Sequence, residues 1–528
     1  HTKYASSDYT KQGEYSSSKS RSWRYTMNTG IAYTLSLNDH NLTFNGRAEI
    51  RSTSSNTESF VATGFPKGVG AIPSFAYSFK ENSTPGYSES ISRGVSFLGT
   101  FNYNYKYRYL FDASLSSDGS TSFGRDKKFQ TFWSVGAGWN VSKESFAKDW
   151  DWMQELKLRG SFGSNGNQNV SNLTSNVYSY YAGSDIFGTA SYLSGYANPN
   201  LEWQVVKKTS VGIDLMFWDN RLLLTMDYYH TNTNPLVVSI QQKPSSGLST
   251  LPINLGHLNT NGFEFNVSWY AIRNLEKRIM LNFRLNGNTY KSVYGGFGEA
   301  LSNLNDAYKK DSSVDSKLNV NSMIQYQDGE SPTALFAVRS LGIDPATGKE
   351  VFLTKNGTPT FDYNADDRVK IADTNPKIRG VFGISFTYKN LQASVNLRYN
   401  LGSFAFNSAL FNKVENISAS NIAYNQDKRA LYSRWQNAGD VSQFKGISLT
   451  TQTPISSRFV QRDNYLRGES ARISWDFSRD EWIKRLFLKD LRFNVSFNDF
   501  FDLSEMKRER GTDYPFQRAI SFGLSARF

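Results

Sequence analysis

The chain ends on PFQRAISFGLSARF, and this ending restricts the possible folds more than any other stretch. Ile520, Phe522, Leu524, Ala526 and Phe528 are apolar, and Ser521, Gly523, Ser525 and Arg527 stand between them. A period of two gives a strand one greasy face and one polar face. Terminal segments fray unless something ties them down. A closed transmembrane β-barrel supplies the tie, because its last strand zips against another and no edge remains.

The same alternation recurs along the chain. Tyr25, Met27, Ile31, Tyr33 and Leu35 share one face, and Leu42, Phe44, Ala48 and Ile50 continue it after a turn at Asn38 and Asp39. Arg47, Glu49 and Arg51 face the other way. Later examples are Phe101, Tyr103 and Tyr105; Trp133, Val135, Ala137 and Trp139; Ile213, Leu215 and Phe217; and Phe382, Ile384 and Phe386. Segments of about ten residues with charges on one side and apolar residues on the other match transmembrane strands. About fifteen such strands are legible.

Their connections alternate between short and long. Short turns fall near Asn38, Lys106, Asp219, Arg273 and Asn390, with slightly longer ones near Lys148 and Trp482. The intervening loops are long, above all between Tyr290 and Val381. Outer-membrane barrels have short periplasmic turns and long external loops. A propeller or solenoid would repeat at a fixed period instead. If the last strand runs toward the periplasm, the first of an odd number does too. The polar start, HTKYASSDYTKQGEYSSSKS, then reads as an external loop entered midway. Single-chain bacterial barrels have an even strand number. The expectation is therefore that residues 1–528 are the C-terminal part of a larger barrel.

Composition agrees. Mean hydropathy is −0.51, and no apolar run approaches the roughly 20 residues of a spanning helix. A helical membrane protein is excluded. Aromatic residues make up 15% of the chain, which suits a wet lumen, a lipid face and interfacial girdles. A large soluble all-β protein is the plainer alternative. The formal charge is +12, but the basic residues are dispersed, which argues against a nucleic-acid partner. Cysteine is absent, so there is no disulfide framework and no thiolate site.

Several stretches, in this order, resemble the SusC/RagA family of TonB-dependent outer-membrane transporters: SDGSTSFG (117–124), FWSVGAGWNVSKESF (132–146), LKLRGSFGSNGNQ (156–168), NPNLEWQ (198–204), NTNGFEF (259–265), DDRVKIADTNPKIRG (366–380), DNYLRGESARISWDF (463–477) and LRFNVSFNDFF (491–501). The chain departs from the family pattern at Trp133, where Pro is expected, and at Gly468, where an apolar residue is expected. The resemblance implies a barrel of about 22 strands with a plugged lumen. The plug, the Ton box and roughly seven early strands would then lie outside this chain. It also implies a SusD-like lipoprotein lid, coupling to TonB–ExbB–ExbD, and import of oligosaccharides or peptides across a Gram-negative outer membrane. Phe522, Leu524 and Phe528 would form the signal read by the barrel assembly machinery. A transporter-like barrel that serves as a scaffold in a larger outer-membrane complex stays open as a second reading.

No residue pattern points to catalysis. His1, His40, His230 and His257 have neither metal spacing nor a nucleophile beside them. Walker, nucleophile-elbow and dinucleotide motifs are absent. No cofactor is required. One loop carries a candidate Ca²⁺ pattern: Asp362, Asn364, Asp366 and Asp373 stand at positions 1, 3, 5 and 12 of a wrapping loop. Asp367 occupies the place where such loops need Gly. Tyr178, Tyr180, Tyr181, Tyr192, Tyr196 and Trp203 are candidate ligand or lid contacts, since aromatic faces among small polar residues suit sugars, peptides or a protein lid. The loop 400–462 is a second candidate for lid contact.

Overall fold

The computed structural model describes residues 13–527, apart from 67, 69–71, 81–82, 124–126, 168–176, 181–190, 196–197, 242–249, 303, 307–322, 420–421, 423–424, 449–450, 479, 481, 484–487 and 508–517. Fifteen antiparallel strands follow one another in chain order across a single sheet. They are β1 (Glu14–Leu37), β2 (His40–Thr63), β3 (Gly86–Tyr105), β4 (Tyr109–Ser120), β5 (Phe129–Asn140), β6 (Met153–Asn167), β7 (Gln204–Phe217) and β8 (Leu222–Thr233), then β9 (His257–Asn274), β10 (Ile279–Gly295), β11 (Ile378–Tyr388), β12 (Leu391–Leu401), β13 (Tyr465–Asp476), β14 (Asp490–Ser504) and β15 (Ala519–Arg527). β1 and β15 do not pair with each other, so the sheet is an open wall.

The register carries the apolar face from strand to strand. Tyr33 pairs with Phe44, Phe44 with Phe101, Phe101 with Ala113, Ala113 with Val135 and Val135 with Phe162. Farther along, Ile213, Met226 and Phe265 form one row, and Ile473, Val495 and Phe522 another. Ile31 is 79% exposed, Phe522 73% and Leu524 70%, so no protein layer covers this face. A continuous apolar stripe of that kind needs lipid rather than water.

Short turns close the hairpins at one end. Asn38, Lys106, Tyr107, Trp218, Asp219, Asn220 and Lys389 all have φ between 50° and 64° there. Tight hairpin turns need such left-handed residues because they match the twist of the strands. Between β5 and β6, Glu144 accepts from the Tyr109 hydroxyl at 2.7 Å, the Trp139 indole N–H at 3.1 Å and Arg108 at 3.3 Å. Two interfacial aromatics are thereby pinned to the turn.

β1 and β2 have 24 residues each, well beyond the roughly 9–11 that cross a bilayer. Residues 14–23, expected as part of a polar loop, instead pair with 54–63 as regular strand. Residues 54–59 pair on their other side with 86–91. Beyond the bilayer both faces of this ribbon are wet, so nothing selects apolar alternation there.

Trp133 and Gly468 both fit their surroundings. The Trp133 ring meets Phe162 edge-on at 5.2 Å on the apolar face. Gly468 sits at a bulge opposite β14, where a Cβ would fall 2.7 Å from Phe500 and Phe501. An apolar side chain would have no room there.

The Tyr109 hydroxyl, then the Trp139 indole, hold the Glu144 carboxyl below its usual range, against the opposing effect of burial, and Arg108 adds to the effect. A depressed carboxylate contributes stability above its unfolded pKa and loses it as pH falls through the folded value. Thermal unfolding of the purified protein should therefore drop as pH falls below about 4.3. Glu144→Ala should unfold at a lower temperature at pH 7 and show a flatter acid limb in calorimetry.

Candidate functional site

The long connections all leave the opposite end of the wall, and two of them fold together into a cap. In the loop between β10 and β11, the strand Ala334–Ile343 pairs with Glu350–Leu353 and Arg368–Asp373, and Glu350–Leu353 also pairs with Pro359–Thr360. In the loop between β12 and β13, Phe404–Phe406 pairs with Val460–Arg462 and encloses a π-helical turn at Leu410–Glu415. Met323, Leu335 and Ala337 of the first loop share a core with Phe406, Phe411, Val414 and Phe459 of the second. Phe411 meets Phe459 edge-on at 4.9 Å. Each fully buried side chain of this size contributes about 1.5–3 kcal/mol, so the loops form a packed unit rather than two independent coils.

An ionic group lies inside the cap. Arg458 donates to Glu415 at 2.8 Å and to Glu350 at 2.9 Å. The side chains of Arg458, Glu350 and Glu415 are 12%, 4% and 0% exposed. Thr453 donates to Glu415 at 2.9 Å and Ser456 donates to Glu350. Arg434 is also buried and spends its N–H groups on the carbonyls of Ala430, Lys445, Val414 and Glu415. Burial alone would lower the Arg458 pKa, but the Glu415 and Glu350 carboxylates more than reverse it. At Arg434 burial prevails and pushes it down, since the Glu415 charge opposes it only in part and Arg458 adds to the lowering. The sequence reading missed this group. Arg458 lies 43 residues from Glu415 and 108 from Glu350, so no local spacing announces it.

A second staple joins three other loops. Trp203, expected among the ligand or lid contacts, is 2% exposed. It stacks on Phe123 at 4.1 Å, meets Phe132 edge-on at 5.7 Å and donates its indole N–H to the Lys127 carbonyl at 2.9 Å. Asn198 donates to the Pro252 carbonyl at 2.9 Å, and Asn254 accepts from the Glu202 amide at 2.7 Å. The stretch NPNLEWQ thus fastens loop bases together, and Trp203 is an anchor with no face left for a ligand. Tyr178, Tyr180 and Tyr192 lie on the short pair Val177–Tyr180 and Ser191–Gly195. Tyr181 and Tyr196 fall outside the described residues, as does Phe528.

The candidate Ca²⁺ ligands are not brought together. Asn364 caps a short 3₁₀ turn by accepting from the Asp366 amide at 3.0 Å. Asp373 ends the strand Arg368–Asp373, which carries it about 16 Å from the start of that strand at the usual rise. There it accepts from Thr333 at 2.6 Å and from the Asn375 amide at 2.8 Å. A twelve-residue cation loop needs its last ligand folded back on the first, and strand pairing prevents that. Among the described residues no cluster of three or more His, Asp or Glu is placed to hold a metal ion.

Several charged side chains on the polar face of the wall pair with one another. Arg159 bridges Asp214 at 2.8 Å and Asp227 at 3.0 Å, and Arg467 pairs with Asp502 at 2.9 Å. Arg398 pairs with Glu469. Gly212 makes the Arg159 contacts possible, since a Cβ there would fall 2.3 Å from Asp227. A hollow of about 570 Å³ opens on this face, lined by Asp227, Glu264, Asn288, Arg379, Arg398 and Tyr465.

An antiparallel wall with a lipid face, a charged face and loops massed at one end is the architecture of an outer-membrane β-barrel. The chain matches the family described as TonB dependent receptor-like, beta-barrel, over residues 1–336, and it belongs to that family. TonB-dependent receptor P3 of Formosa agariphila is 26% identical over 436 residues, covering 80% of this chain and 41% of its own length. TonB-dependent receptor SusC of Bacteroides thetaiotaomicron is 25% identical over 459 residues, covering 82% of this chain and 44% of its own length. The chain thus spans less than half the length of these relatives. A solved structure of the RagAB peptide transporter superposes with a TM-score of 0.81 at 18% identity, covering 94% of this chain and 53% of that chain. The fold is therefore that of a barrel wall, and the protein resides in the outer membrane of a Gram-negative bacterium.

Removing one member of a buried ion group leaves its partners unanswered, at a cost of about 3–5 kcal/mol. Arg458→Met should therefore quicken amide exchange in residues 334–343 and 410–415 roughly a hundredfold or more, while the wall strands stay protected. Unchanged exchange in the cap would show that the ion group does not hold the two loops.

Proposed function

We propose that this chain is the C-terminal wall and external cap of a SusC-like importer that takes up oligosaccharides or peptides across the outer membrane. A SusD-like lipoprotein covers the cap, and a plug coupled to TonB–ExbB–ExbD opens the path. The family is one of receptors and transporters rather than enzymes. The observation that carries the reading is the cap itself: two long loops packed around one core stand over a wall whose polar face holds an open hollow. That arrangement suits capture outside and passage along the wall. The likeness to the RagAB peptide transporter supports peptides as solutes and a two-component assembly, the SusC relative supports TonB dependence, and oligosaccharides enter through the resemblance of the sequence motifs.

Uptake of fluorescently labelled oligosaccharides and peptides by intact cells tests the proposal. Uptake of at least one class should fall to background when the gene is deleted and again when TonB is deleted. A lipoprotein should co-purify with the tagged protein. If uptake is unchanged in the deletion strain, and in the parent strain the protein is held within a larger outer-membrane complex, the scaffold reading replaces this one.

A further inference from the structure

A cavity of about 360 Å³ lies between the two loops of the cap. Gly348, Lys349 and Phe361 of the first loop line one side, and Trp435, Lys445 and Ile447 of the second line the other. The Trp435 indole is held in place there. Its N–H donates to the Pro345 carbonyl at 2.8 Å, and Gly348, at φ 68°, lies so close that a Cβ would fall 2.4 Å from the ring. Phe361 also lines the cavity and is 49% exposed.

The charges around this cavity do not balance. Glu350 and Glu415 are both committed to Arg458 and to hydroxyl donors. Arg434 and Lys445 add two further cations to the same group. Within that group three positive charges therefore meet two negative ones, and the exposed Lys349 on the cavity's rim adds a further cation. Lys445 lines the cavity and is half-buried, and although its carbonyl accepts from Arg434, its ammonium makes no hydrogen bond or ion pair with any described residue. Burial pushes its pKa down, while the Glu415 and Glu350 charges pull it the other way. A partly desolvated ammonium without a counter-ion is costly, and an arriving anion relieves that cost.

We propose that this cavity binds a solute bearing one carboxylate on a flat, apolar-faced body. The carboxylate meets Lys445, and the flat face lies along Trp435 and Phe361, as aromatic walls favour. Acidic sugars and peptide C-termini beside an aromatic side chain both have this chemistry. The inference rests on the import reading and deepens it by naming what the cap captures. Equilibrium binding needs neither TonB nor a lid, so its failure is distinguishable from a failure of uptake.

Titration calorimetry on the full-length protein in detergent, with galacturonate, galactose, N-acetylphenylalanine and N-acetylphenylalanine amide as probes, decides it. One of the two acids should bind at one site, about tenfold or more tighter than its uncharged counterpart. Lys445→Met should abolish that preference and Lys445→Arg should keep it. The acid that binds assigns the source. The proposal is overturned if neither acid is preferred, or if the preference survives in Lys445→Met. Should Lys445→Met disturb the cap by hydrogen exchange, Lys445→Gln supplies the same comparison, and a preference surviving there overturns the proposal equally.

Discussion

Inside a bilayer no water is available to satisfy a backbone N–H or C=O, and every such group must find a partner within the protein. Between its two edges, the wall meets this demand by unbroken antiparallel pairing from β1 to β15. Continuous pairing in turn sets the side-chain order, because successive residues must point to opposite faces. One face is left to lipid and the other to water and charge. Register shifts are confined to a few bulges, at Met216/Phe217, Tyr270/Ile272, Asn396/Leu397 and Gly468/Ser470. Two of these sit beside short turns. The other two adjoin Gly468, where the absent side chain makes room for Phe500 and Phe501.

Beyond the bilayer that demand lapses, and the chain is organised by ordinary hydrophobic burial instead. The cap shows the change. Its core residues, Leu335, Phe411 and Phe459 among them, are almost fully buried, whereas the apolar residues of the wall are broadly exposed. The cap is in effect a small soluble domain whose two halves are tethered by strands β10 to β13. Its buried ion group crosses between the halves, with Glu350 on one loop and Arg458 and Glu415 on the other. A buried pair is weak evidence for stability in itself, but it specifies which surfaces meet.

The two regimes explain what the sequence disclosed. The wall was legible because lipid imposes period two: the fifteen strands, the turn at Asn38 and Asp39 and the short turn at Lys389 and Asn390 stand where alternation and turn chemistry put them. The outer halves of β1 and β2 were not, since residues 14–23 and 54–63 are mostly Ser, Thr and charged residues with water on both sides. The cap was hidden for another reason. Its core and ions come from residues scattered over two loops, and only the fold brings them together. Composition misled at Trp203, which resembles a ligand-facing aromatic in sequence but is buried as an anchor. Spacing misled at Asp373, where strand formation carries a carboxylate away from Asp362, Asn364 and Asp366.

The wall and the cap also differ in how their charges are used. On the polar face of the wall, Arg159, Arg398 and Arg467 each already hold carboxylate partners. On the import reading proposed above, a solute passing these three arginines meets interactions that are already satisfied. On the same reading, the cavity in the cap, where Trp435 and Phe361 stand beside the Lys445 ammonium, is a surface free to discriminate among solutes. The division follows from the medium: the wall is bound to one backbone pattern by the lipid around it, while the loops stand in water and can vary in length, packing and charge without breaking a strand.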